Sequence, residues 1–566
     1  MEIKRNVLSC DVLIIGGGVG GLTCAIELKE KNPALDVLIV EKQFVGYSGK
    51  ANKGGGVLQY FQLDKITPMD FLKFHVSEIG CYLGDQNLML KYVEMNHGML
   101  AKLSDWGVNV PKKPDGSFNV VPTGPYTAMT FVDLDITLKM SQRAAKLGVR
   151  MLNKTAMSEL YVKDGAIRGA SAYSILDDGN YYTISAKKVV LATGSQNYRF
   201  GSMWSSGRGD GIAAAYKAGA EMRNAEFGNF AQLVRAKSHH EVVFGENFMY
   251  NAKGEHITKN FTDHRQTDIP SVAVREWYLQ MLAGNGPVHL DYGRPVQPPK
   301  PAEDKKAQTP PPARPAAYGD KFKALNRADA NSVDTDMEVV PCLIGEQSCI
   351  RVDNNMKTTV EGLYAIGDCS YCGSGAPGAV PAPPGRNRGS GILNAVFAGI
   401  VAADDLAEAE YRTPAPIEES EIEASVAYVY APLYNENGHD PKEVIHLVQE
   451  AMAPAEYSVY MKAERMDEAQ TYVDEAAAML GNLKAADMHG VNACHEAEYM
   501  VLSAQLHYFA SRERKESRGW FIREDYPDMD NENWLKWIIV KNVDGKMTLS
   551  TEDVPIDTYP VGLPKE

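Results

Sequence analysis

A short stretch near the start of the chain, residues 11–42, constrains the fold more than any other part of the sequence. It reads DVLIIGGGVGGLTCAIELKEKNPALDVLIVEK. Residues 12–15 are an apolar run typical of a buried parallel strand, residues 22–29 have helical periodicity, and residues 36–40 predict a second strand. The turn before the helix carries the pattern G-x-G-x-x-G, formed by Gly16, Gly18 and Gly21. This order of strand, glycine turn, helix and strand predicts half of a nucleotide-binding α/β domain.

Each glycine of this turn meets a physical requirement of dinucleotide binding. The first permits a tight turn, the second lets backbone amides approach a pyrophosphate, and the third lets the helix pack against the strand. The helix N-terminus, with its unpaired amides and positive dipole end, favours the phosphates. Glu41 ends the second strand, where an acid accepts hydrogen bonds from a ribose hydroxyl. The segment therefore predicts a bound dinucleotide.

Composition limits the class of protein. A chain of 566 residues exceeds one ordinary core, so about two to four domains are expected. No apolar run approaches the roughly 20 residues that span a bilayer, and the first strand begins almost at once. We therefore expect no direct membrane insertion, no signal peptide and a cytoplasmic location. The net charge of −15 argues against nucleic acid as a partner. The eight cysteines do not form a disulfide framework and are too sparse for an iron–sulfur cluster within this chain.

Three later segments favour FAD over NAD as the dinucleotide. Residues 156–195 alternate in the manner of a strand meander, with turns at Asp164-Gly165 and Asp178-Gly179. Residues 360–368, VEGLYAIGD, predict another apolar strand that ends in a Gly-Asp pair, and residues 392–406 predict a helix. An NAD enzyme rarely needs this full set, whereas a two-part nucleotide domain interrupted by a cap is typical of FAD-dependent reductases.

The fold class that these patterns predict is α/β: a Rossmann-like FAD-binding domain interrupted by an α+β capping domain and followed by a C-terminal helical domain. The FAD-binding domain is expected in two segments, residues 1–235 and 341–405. The capping domain is expected between them, at residues 236–340. Residues 294–315, RPVQPPKPAEDKKAQTPPPARP, cannot pack a core and predict an exposed loop of the cap.

The rest of the chain divides into a helical part and a tail. Residues 463–483 and 493–515 have amphipathic periodicity with alternating charge, which predicts antiparallel packed helices within a domain at residues 406–515. Residues 516–566 are expected to wrap back onto the protein as irregular structure. This tail contains three tryptophans, Trp520, Trp534 and Trp537.

With these segments in place, the chain resembles the flavoprotein subunit of the succinate dehydrogenase and fumarate reductase superfamily over almost its full length. Six motifs stand in the family's order. They are the N-terminal fingerprint with Glu41-Lys42, VVLATGS at 189–195, GRGDGIAAAYKAGAE at 207–221, GLYAIGD at 362–368, GRNRGSGILNAVFAG at 385–399 and ESRGWFIREDYPDMDNENW at 516–534. The resemblance implies an FAD-dependent oxidoreductase that works with an iron–sulfur subunit.

The resemblance also implies which residues contact FAD. The pyrophosphate and the adenosine ribose would be held by Gly16, Gly18, Gly21, Glu41 and Lys42. The backbone would pass along the flavin at Ser48, Gly49, Gly54 and Gly55. The adenosine half would lie beside Thr193 and Gly194, and the polar chain of the cofactor near Asp210 and Asp368. A helix N-terminus facing the flavin ring, where it stabilises negative charge, would be formed by Ser390, Gly391 and Ile392.

Departures from the family pattern are equally informative. The membrane-bound relatives carry a histidine covalently bonded to the flavin; the corresponding stretch here, YSGKANKGGG, has none, so FAD is expected to be non-covalent. Ala231 stands at the place of the family's substrate histidine, and Pro270 at that of its proton-shuttle arginine. LIGEQSCI at residues 343–350 replaces a His-Tyr-x-Met-Gly-Gly motif, and Arg388 is the one substrate arginine retained. These losses argue against a succinate dehydrogenase or a simple fumarate reductase.

The unlinked flavin, the SGKANKG spacing and the proline before VAVRE are closer to the alpha subunit of adenylylsulfate reductase. That branch couples FAD to a separate ferredoxin-like subunit, although its substrate histidine is missing from the GEQSC stretch here. A divergent member of the branch, with its own substrate, is therefore expected. No second nucleotide fingerprint and no cluster motif are visible in the sequence, so electrons would reach FAD through an iron–sulfur partner.

A flavin reductase needs a group that polarises its substrate and a proton donor within hydrogen-bond reach. Arg388 and Arg386 stand beside the flavin-facing glycines, where either can clamp an anionic or carbonyl group. The alternative for Arg386 is a phosphate contact or a surface salt bridge. His239 and His240 fall where the family places polar substrate contacts and can donate a proton near neutral pH; the alternative is a solvated pair on the cap surface.

Weaker candidates surround these residues. Arg235 and Glu246 flank the histidine segment. Cys369 and Cys372 follow the Gly-Asp pair and can form a dithiol relay, but small buried cysteines also serve as core residues there. Cys349 is a candidate pocket thiol on the same terms. Two sulfurs without spaced partners are too few for zinc, so no metal site is expected.

Three functions are compatible with the sequence. The first is a catalytic flavoprotein subunit that exchanges a hydride or an electron pair with a small anionic substrate. The second is sulfur chemistry at the flavin with a sulfo-nucleotide, as in adenylylsulfate reductase. The third is a non-catalytic electron-transfer flavoprotein that has lost its substrate pocket. The retained Arg388 and the full cap favour an enzyme, because a pure carrier has no need of a closing lid.

Overall fold

The structure of the protein is a computed structural model, and it describes residues 2–52, 56–122, 124–200, 206–237, 248–257, 270–291, 336–371 and 390–564. Several residues singled out by the sequence lie outside these ranges: Gly54, Gly55, His239, His240, Glu246, Cys372, Arg386 and Arg388. The proline-rich stretch at residues 294–315 also lies outside them.

The described residues form alternating helices and strands. In chain order the strands are β1 (Lys4–Ile15), β2 (Val37–Glu41), β3 (Val57–Phe61), β4 (Val121–Pro122), β5 (Thr127–Phe131), β6 (Arg150–Asn153), β7 (Thr155–Lys163), β8 (Ala166–Ser174), β9 (Asn180–Leu191), β10 (Met222–Arg223), β11 (Phe230–Arg235), β12 (Met249–Tyr250), β13 (His289–Asp291), β14 (Asp336–Gly345), β15 (Ile350–Arg351), β16 (Leu363–Ala365), β17 (Ser370–Tyr371), β18 (Tyr460–Met461), β19 (Ile522–Arg523), β20 (Lys536–Val543) and β21 (Lys546–Asp553). The helices are α1 (Val19–Lys31), α2 (Pro68–Phe74), α3 (Gln86–Asp105), α4 (Ile136–Lys146), α5 (Asp210–Lys217), α6 (Pro270–Leu282), α7 (Ser390–Glu408), α8 (Glu419–Tyr430), α9 (Pro441–Met452), α10 (Ala455–Ser458), α11 (Ala463–Met479), α12 (Met488–Glu513) and α13 (Asn531–Trp534).

A seven-stranded sheet carries the nucleotide-binding fold, in the order β6-β2-β1-β9-β8-β7, with β16 also paired to β9. The pairings β2–β6, β1–β2, β1–β9 and β9–β16 are all parallel. Residues 12–15 of β1 are buried, which explains their uninterrupted apolar character. Because the strands run in the same direction, their carboxyl ends meet at one edge, where ligands of such sheets bind. The predicted Rossmann-like arrangement is confirmed.

The antiparallel half of this sheet is the predicted meander of β7, β8 and β9. Asp164 and Gly165 both have positive φ, 52° and 77°, which suits the two-residue turn of a hairpin. At the second turn, the Asp178 carboxylate accepts a hydrogen bond from the amide of Asn180 at 3.0 Å. Local turn chemistry therefore specifies this part of the fold.

Helices α1 and α7 pack closely on the sheet. A Cβ atom added to Gly399 of α7 would lie 2.8 Å from the carbonyl oxygen of Gly20 in α1, so the contact requires glycine. In the described part of the chain, Ser390–Glu408 is the one helix long and apolar enough to cross a membrane, and 67% of its apolar window is buried inside the protein. Packing against α1 thus accounts for its apolar character.

The segment between the two parts of the nucleotide-binding domain, called the insertion from here on, has its own sheet and its own apolar cluster. The strand order of this sheet is β11-β14-β13-β12. Strands β11 and β14 pair antiparallel, and α6 covers the sheet, with the Trp277 indole donating to the carbonyl oxygen of Val339 at 3.0 Å. The expected cap, residues 236–340, begins where β11 ends and stops inside β14. The strands that anchor the insertion thus extend beyond both expected boundaries.

The tail differs from the expected irregular structure. Strands β20 and β21 form a hairpin, and β20 joins β10, β15 and β17 in a five-stranded sheet. Residues 537–540 of β20 are buried, and the Trp537 indole donates to the Leu83 carbonyl oxygen at 2.7 Å. Burying this apolar run against the FAD-binding domain is what orders the tail.

Two buried histidines are expected to make stability depend on pH. Burial lowers the pKa of His75 to about 3 and that of His507 to about 4. In the unfolded chain both titrate near pH 6.5, so between that value and about pH 4 the unfolded state binds more protons. Stability therefore falls as the pH drops below about 6.5, by about 1.4 kcal/mol per pH unit for each histidine.

Urea unfolding of the apoprotein at pH 7.5 and 5.5 measures this dependence. His507→Gln should reduce the difference between the two pH values, whatever its effect on stability at pH 7.5. His446→Gln is the matched control, because the His446 side chain is 72% exposed and has no burial to relieve. A pH dependence unchanged in His507→Gln would contradict this prediction.

Candidate active site

The glycine turn at the carboxyl end of β1 leaves an open space above the start of α1. Gly16 has φ 106°, and a Cβ there would lie 2.4 Å from the carbonyl oxygen of Ala192. A Cβ on Gly21 would lie 2.1 Å from the carbonyl oxygen of Gly16, so this glycine lets the helix meet the turn. Above Gly18, no atom of the described residues lies within 4 Å of an added Cβ. The space over Gly18, at a helix N-terminus, suits a pyrophosphate.

Glu41 is held in one orientation at the end of β2. Its Oε2 accepts a hydrogen bond from the amide of Gly17, and its Oε1 accepts one from the amide of Gln43, both at 2.7 Å. The residue is 8% exposed. Each carboxylate oxygen has a second lone pair, so Glu41 can also accept from ribose hydroxyls. The predicted position of the ribose acceptor therefore fits the geometry.

Among the described residues, the buried Ser48 hydroxyl beside the turn has no hydrogen-bond partner, and the buried Thr193 hydroxyl has only the Cys369 thiol as a neighbouring donor. A Cβ on Gly49 would lie 3.5 Å from the Cα of Gly18, so the loop after β2 crosses the open space. Thr193 follows β9, and a Cβ on Gly211 would lie 2.2 Å from its hydroxyl. Buried polar groups are nearly always paired, so these hydroxyls indicate a polar ligand in the space. The residues present fit FAD.

A charge cluster lies on the Glu41 side of this space. Lys42 Nζ is 3.1 Å from Glu496 and 3.6 Å from Asp210, at the start of α5. Arg208 and Arg199 also face Glu496, at 3.3 and 3.7 Å. Burial alone would raise the pKa of Glu496, but the three cations lower it to about 2. Burial would lower the pKa of Lys42, and the carboxylates of Asp210 and Glu496 outweigh it, so that pKa is raised.

A second charge cluster lies where β9, β14 and β16 end. Lys50 Nζ is 2.8 Å from the Ser195 hydroxyl, 2.9 Å from Asp368 and 3.2 Å from Glu346. Burial would lower the pKa of Lys50, but the two carboxylates raise it. Asp210 and Asp368, both expected near the polar chain of the cofactor, thus belong to separate clusters.

Helix α7, described from Ser390 onward, packs against Gly367, the residue before Asp368 of this second cluster. A Cβ on Gly367 would lie 3.6 Å from the Cβ of Ala395, in the second turn of the helix. Ser390 is buried, whereas Gly391 and Ile392 are half-buried. The placement of the α7 N-terminus at the flavin ring, where its dipole would stabilise negative charge, stays a prediction.

The two described candidate thiols are sealed in the core. Cys369 is buried, its Sγ lies 3.2 Å from the carbonyl oxygen of Leu191, and burial raises its pKa to about 12. The buried Cys349 lies 3.7 Å from the sulfur of Met222, and burial raises its pKa as well. These environments favour the core interpretation over a reactive dithiol. Among the described residues, no group of three His, Cys, Asp or Glu could hold a metal ion.

Ala231, which the sequence pattern predicts at the place of the family's substrate histidine, has apolar surroundings. Ala231 is 3% exposed and lies in the apolar cluster of the insertion with Leu233, Phe248 and Trp277. At the end of β14, Glu346 turns back with φ 56° and reaches Lys50. Arg235 lies at the end of β11 and is half-buried. Glu346, through its ion pair with Lys50, is thus a point of contact between the insertion and the second charge cluster.

The fold and this cradle define the class of the protein as an FAD-dependent oxidoreductase. A family model described as FAD binding domain matches residues 11–262, and one described as fumarate reductase flavoprotein C-term matches residues 447–565. The chain belongs to the fumarate reductase and succinate dehydrogenase flavoprotein family. The family predicted from the sequence motifs is therefore confirmed.

Individual relatives span nearly the whole chain. One subunit of the fumarate reductase (CoM/CoB) of Methanothermobacter marburgensis is 25% identical over 95% of this chain and 98% of its own. The Escherichia coli quinol fumarate reductase structure has a TM-score of 0.78 at 20% identity, covering 98% of both chains. The adenylylsulfate reductase structure from Archaeoglobus fulgidus has a TM-score of 0.77 at 21% identity, covering 98% of this chain and 97% of its own. At these identities the two structures establish the fold.

Proposed function

We propose that the protein is a catalytic flavoprotein subunit that exchanges a hydride or an electron pair between FAD and a small anionic substrate, unsaturated or carbonyl. The observation that carries this proposal is the direct attachment of the insertion to the cofactor space. Strand β14 runs from the insertion sheet to Glu346, which pairs with Lys50, a residue of the segment that follows β2. A capping insertion joined in this way can close over a bound substrate. An enzyme requires such closure, whereas a pure electron carrier does not.

FAD supplies the hydride acceptor and donor chemistry when it is bound. The chain has to orient the substrate, stabilise its charge and deliver a proton. Arg388, with Arg386, is proposed to clamp the anionic group, because both stand in the family motif at residues 385–399, beside the flavin-facing glycines. His239 or His240 is proposed as the proton donor in the insertion. An apolar Ala231 at the histidine position supports a substrate other than a dicarboxylate.

The electron partner is proposed to be a separate iron–sulfur subunit of the ferredoxin type. Relatives that match nearly the full chain are themselves named as subunits, such as that of the fumarate reductase (CoM/CoB). The sequence carries one nucleotide fingerprint, which FAD occupies, so a nicotinamide donor has no site of this kind. The proposed location is the cytoplasm, with attachment to a membrane surface through such a partner as the alternative.

Stopped-flow absorbance of the dithionite-reduced protein tests the proposed reaction. Fumarate and other activated enoates are added in turn, and reoxidation of the flavin by one of them establishes a reductase. Sulfite with AMP is added to the oxidised protein, where bleaching would instead establish sulfur chemistry with a sulfo-nucleotide. Rapid exchange with a ferredoxin and no response to any substrate would establish the non-catalytic carrier.

Arg388→Met is expected to lower kcat/KM at least 100-fold with the substrate so identified, because the anionic group loses its bidentate partner. FAD content should stay unchanged, which separates substrate binding from cofactor binding. Arg412→Met is the control, because the Arg412 side chain is 77% exposed and pairs with Glu410 on the surface. Full activity in Arg388→Met would contradict the assignment.

A further inference from the structure

Lys50 directly follows the loop that leaves β2 and crosses the cofactor space over Gly18. It begins a single turn, Lys50–Asn52, directly after the loop that follows β2. Gly49, the residue before it, passes within van der Waals distance of Gly18. Ser48, one residue earlier, carries a buried hydroxyl that has no partner among the described residues. The loop therefore covers the cofactor space, and Lys50 fixes its far end.

The ammonium group of Lys50 joins this loop to three other segments. Its partners are the Ser195 hydroxyl at 2.8 Å, an Asp368 oxygen at 2.9 Å and a Glu346 oxygen at 3.2 Å. Ser195 follows β9, Asp368 follows β16, and Glu346 follows β14 of the insertion. One side chain thus connects the loop, both parts of the nucleotide domain and the insertion.

The electrostatics of this cluster depend on Lys50. Its side chain is 17% exposed, and those of Asp368 and Glu346 are 16% and 5% exposed. Two carboxylates in such surroundings repel each other and lose hydration, and the ammonium group between them offsets both costs. Among the described residues, Lys50 is the cation that the two share in an ion pair.

We propose that Lys50 is the positioning residue that retains the non-covalent FAD and tunes its reduction potential. It holds the loop closed over the cofactor and fixes the Asp368 carboxylate in place as an acceptor for hydroxyls of the polar chain. Its positive charge also stabilises the additional negative charge of reduced flavin. Lys50 thereby supplies by ion pairing what a covalent bond supplies in the relatives that carry the histidine. This inference concerns FAD binding and does not depend on the substrate.

The test compares Lys50→Gln and Lys50→Arg, each purified with excess FAD, for the rate of FAD release and the reduction potential. Lys50→Gln should release FAD at least 30-fold faster than the wild-type protein. Its affinity for reduced FAD, relative to its affinity for oxidised FAD, should fall about tenfold. Such a tenfold change lowers a two-electron potential by about 30 mV. Lys50→Arg should recover most of both properties, because it keeps the charge. Lys462→Gln, at a half-buried position remote in sequence whose side chain lies 3.9 Å from Glu464, should match the wild-type protein.

A third variant measures the coupling to Asp368. If Lys50 acts through Asp368, Asp368→Asn should change the rate of FAD release much less in the Lys50→Gln variant than in the wild-type protein. FAD release within twofold of the unchanged protein in Lys50→Gln would overturn the proposal. Faster release with an unchanged potential, and no recovery in Lys50→Arg, would also overturn it, because loop packing alone would then explain the loss. Neither measurement requires turnover, so a failure here is distinct from a failure of the proposed reaction.

Discussion

Replacing Glu516 by glutamine is expected to lower the free energy of unfolding by about 3–5 kcal/mol, because it leaves buried arginine charge uncompensated. Glu516 accepts hydrogen bonds from Arg514 and, through both oxygens, from Arg518, all at 2.7 Å. Arg514 also pairs with Glu226 at 2.8 Å. All four side chains are 0% exposed, and their two positive and two negative charges balance.

This cluster joins parts of the protein that are far apart in sequence. Arg518 donates to the carbonyl oxygen of Cys81 at 2.7 Å, and Arg514 donates to that of Lys536, at the start of β20, at 2.9 Å. Glu226 precedes β11 of the insertion. Disrupting this charge cluster should therefore loosen the tail as well as lower global stability. Proteolysis of the variant should first cut between the helical domain and β20.

Urea unfolding of Glu516→Gln against the unchanged protein measures the expected loss. Glu532→Gln is the matched control, since Glu532 is exposed in α13 and its charge is already solvated. A loss below about 1 kcal/mol in Glu516→Gln would show that the buried charges relax toward solvent, contrary to the prediction.

Local sequence patterns were sufficient where structure depends on local chemistry. The β1–α1–β2 unit and the β7–β8–β9 meander follow from periodicity and glycine turns, and both are confirmed. The tail hairpin carried a comparable signal that the sequence analysis missed. Asp544-Gly545 joins β20 to β21 with φ values of 52° and 78°, nearly those of the predicted turn at Asp164-Gly165. An Asp-Gly pair between two runs of strand-forming residues is a hairpin signature in both places.

The charge clusters of the site were beyond sequence analysis, because their members meet only through tertiary structure. Lys50 and Glu346 are 296 positions apart, and Lys42 and Glu496 are 454 apart. Lys50 had no distinguishing neighbour in SGKANKG, and Glu496 stands among other charges of an ordinary helix. The glycines and Glu41, in contrast, act within one βαβ unit, where spacing alone indicates geometry.

Gly18→Val is expected to abolish FAD binding while leaving the apoprotein folded. Gly18 has φ −74° and ψ −173°, an extended conformation that β-branched residues readily adopt. Its added side chain would point into open space, so the free energy of unfolding of the apoprotein should change by less than about 0.5 kcal/mol. The valine would fill the space over the α1 N-terminus, and FAD affinity should fall more than 100-fold, about 2.7 kcal/mol.

Two further glycines make the experiment specific. Gly21→Val should unfold the protein or destabilise it by several kcal/mol, because its Cβ would overlap the Gly16 carbonyl oxygen. Gly98→Val, at an exposed and open position of α3, should change neither stability nor FAD content appreciably. Flavin absorbance per protein and urea unfolding of each apoprotein are the measurements. A folded Gly18→Val variant that binds FAD as tightly as the unchanged protein would place the pyrophosphate elsewhere. A Gly18→Val variant as unstable as Gly21→Val would show that Gly18 is needed for packing, although no neighbouring atom meets its Cβ.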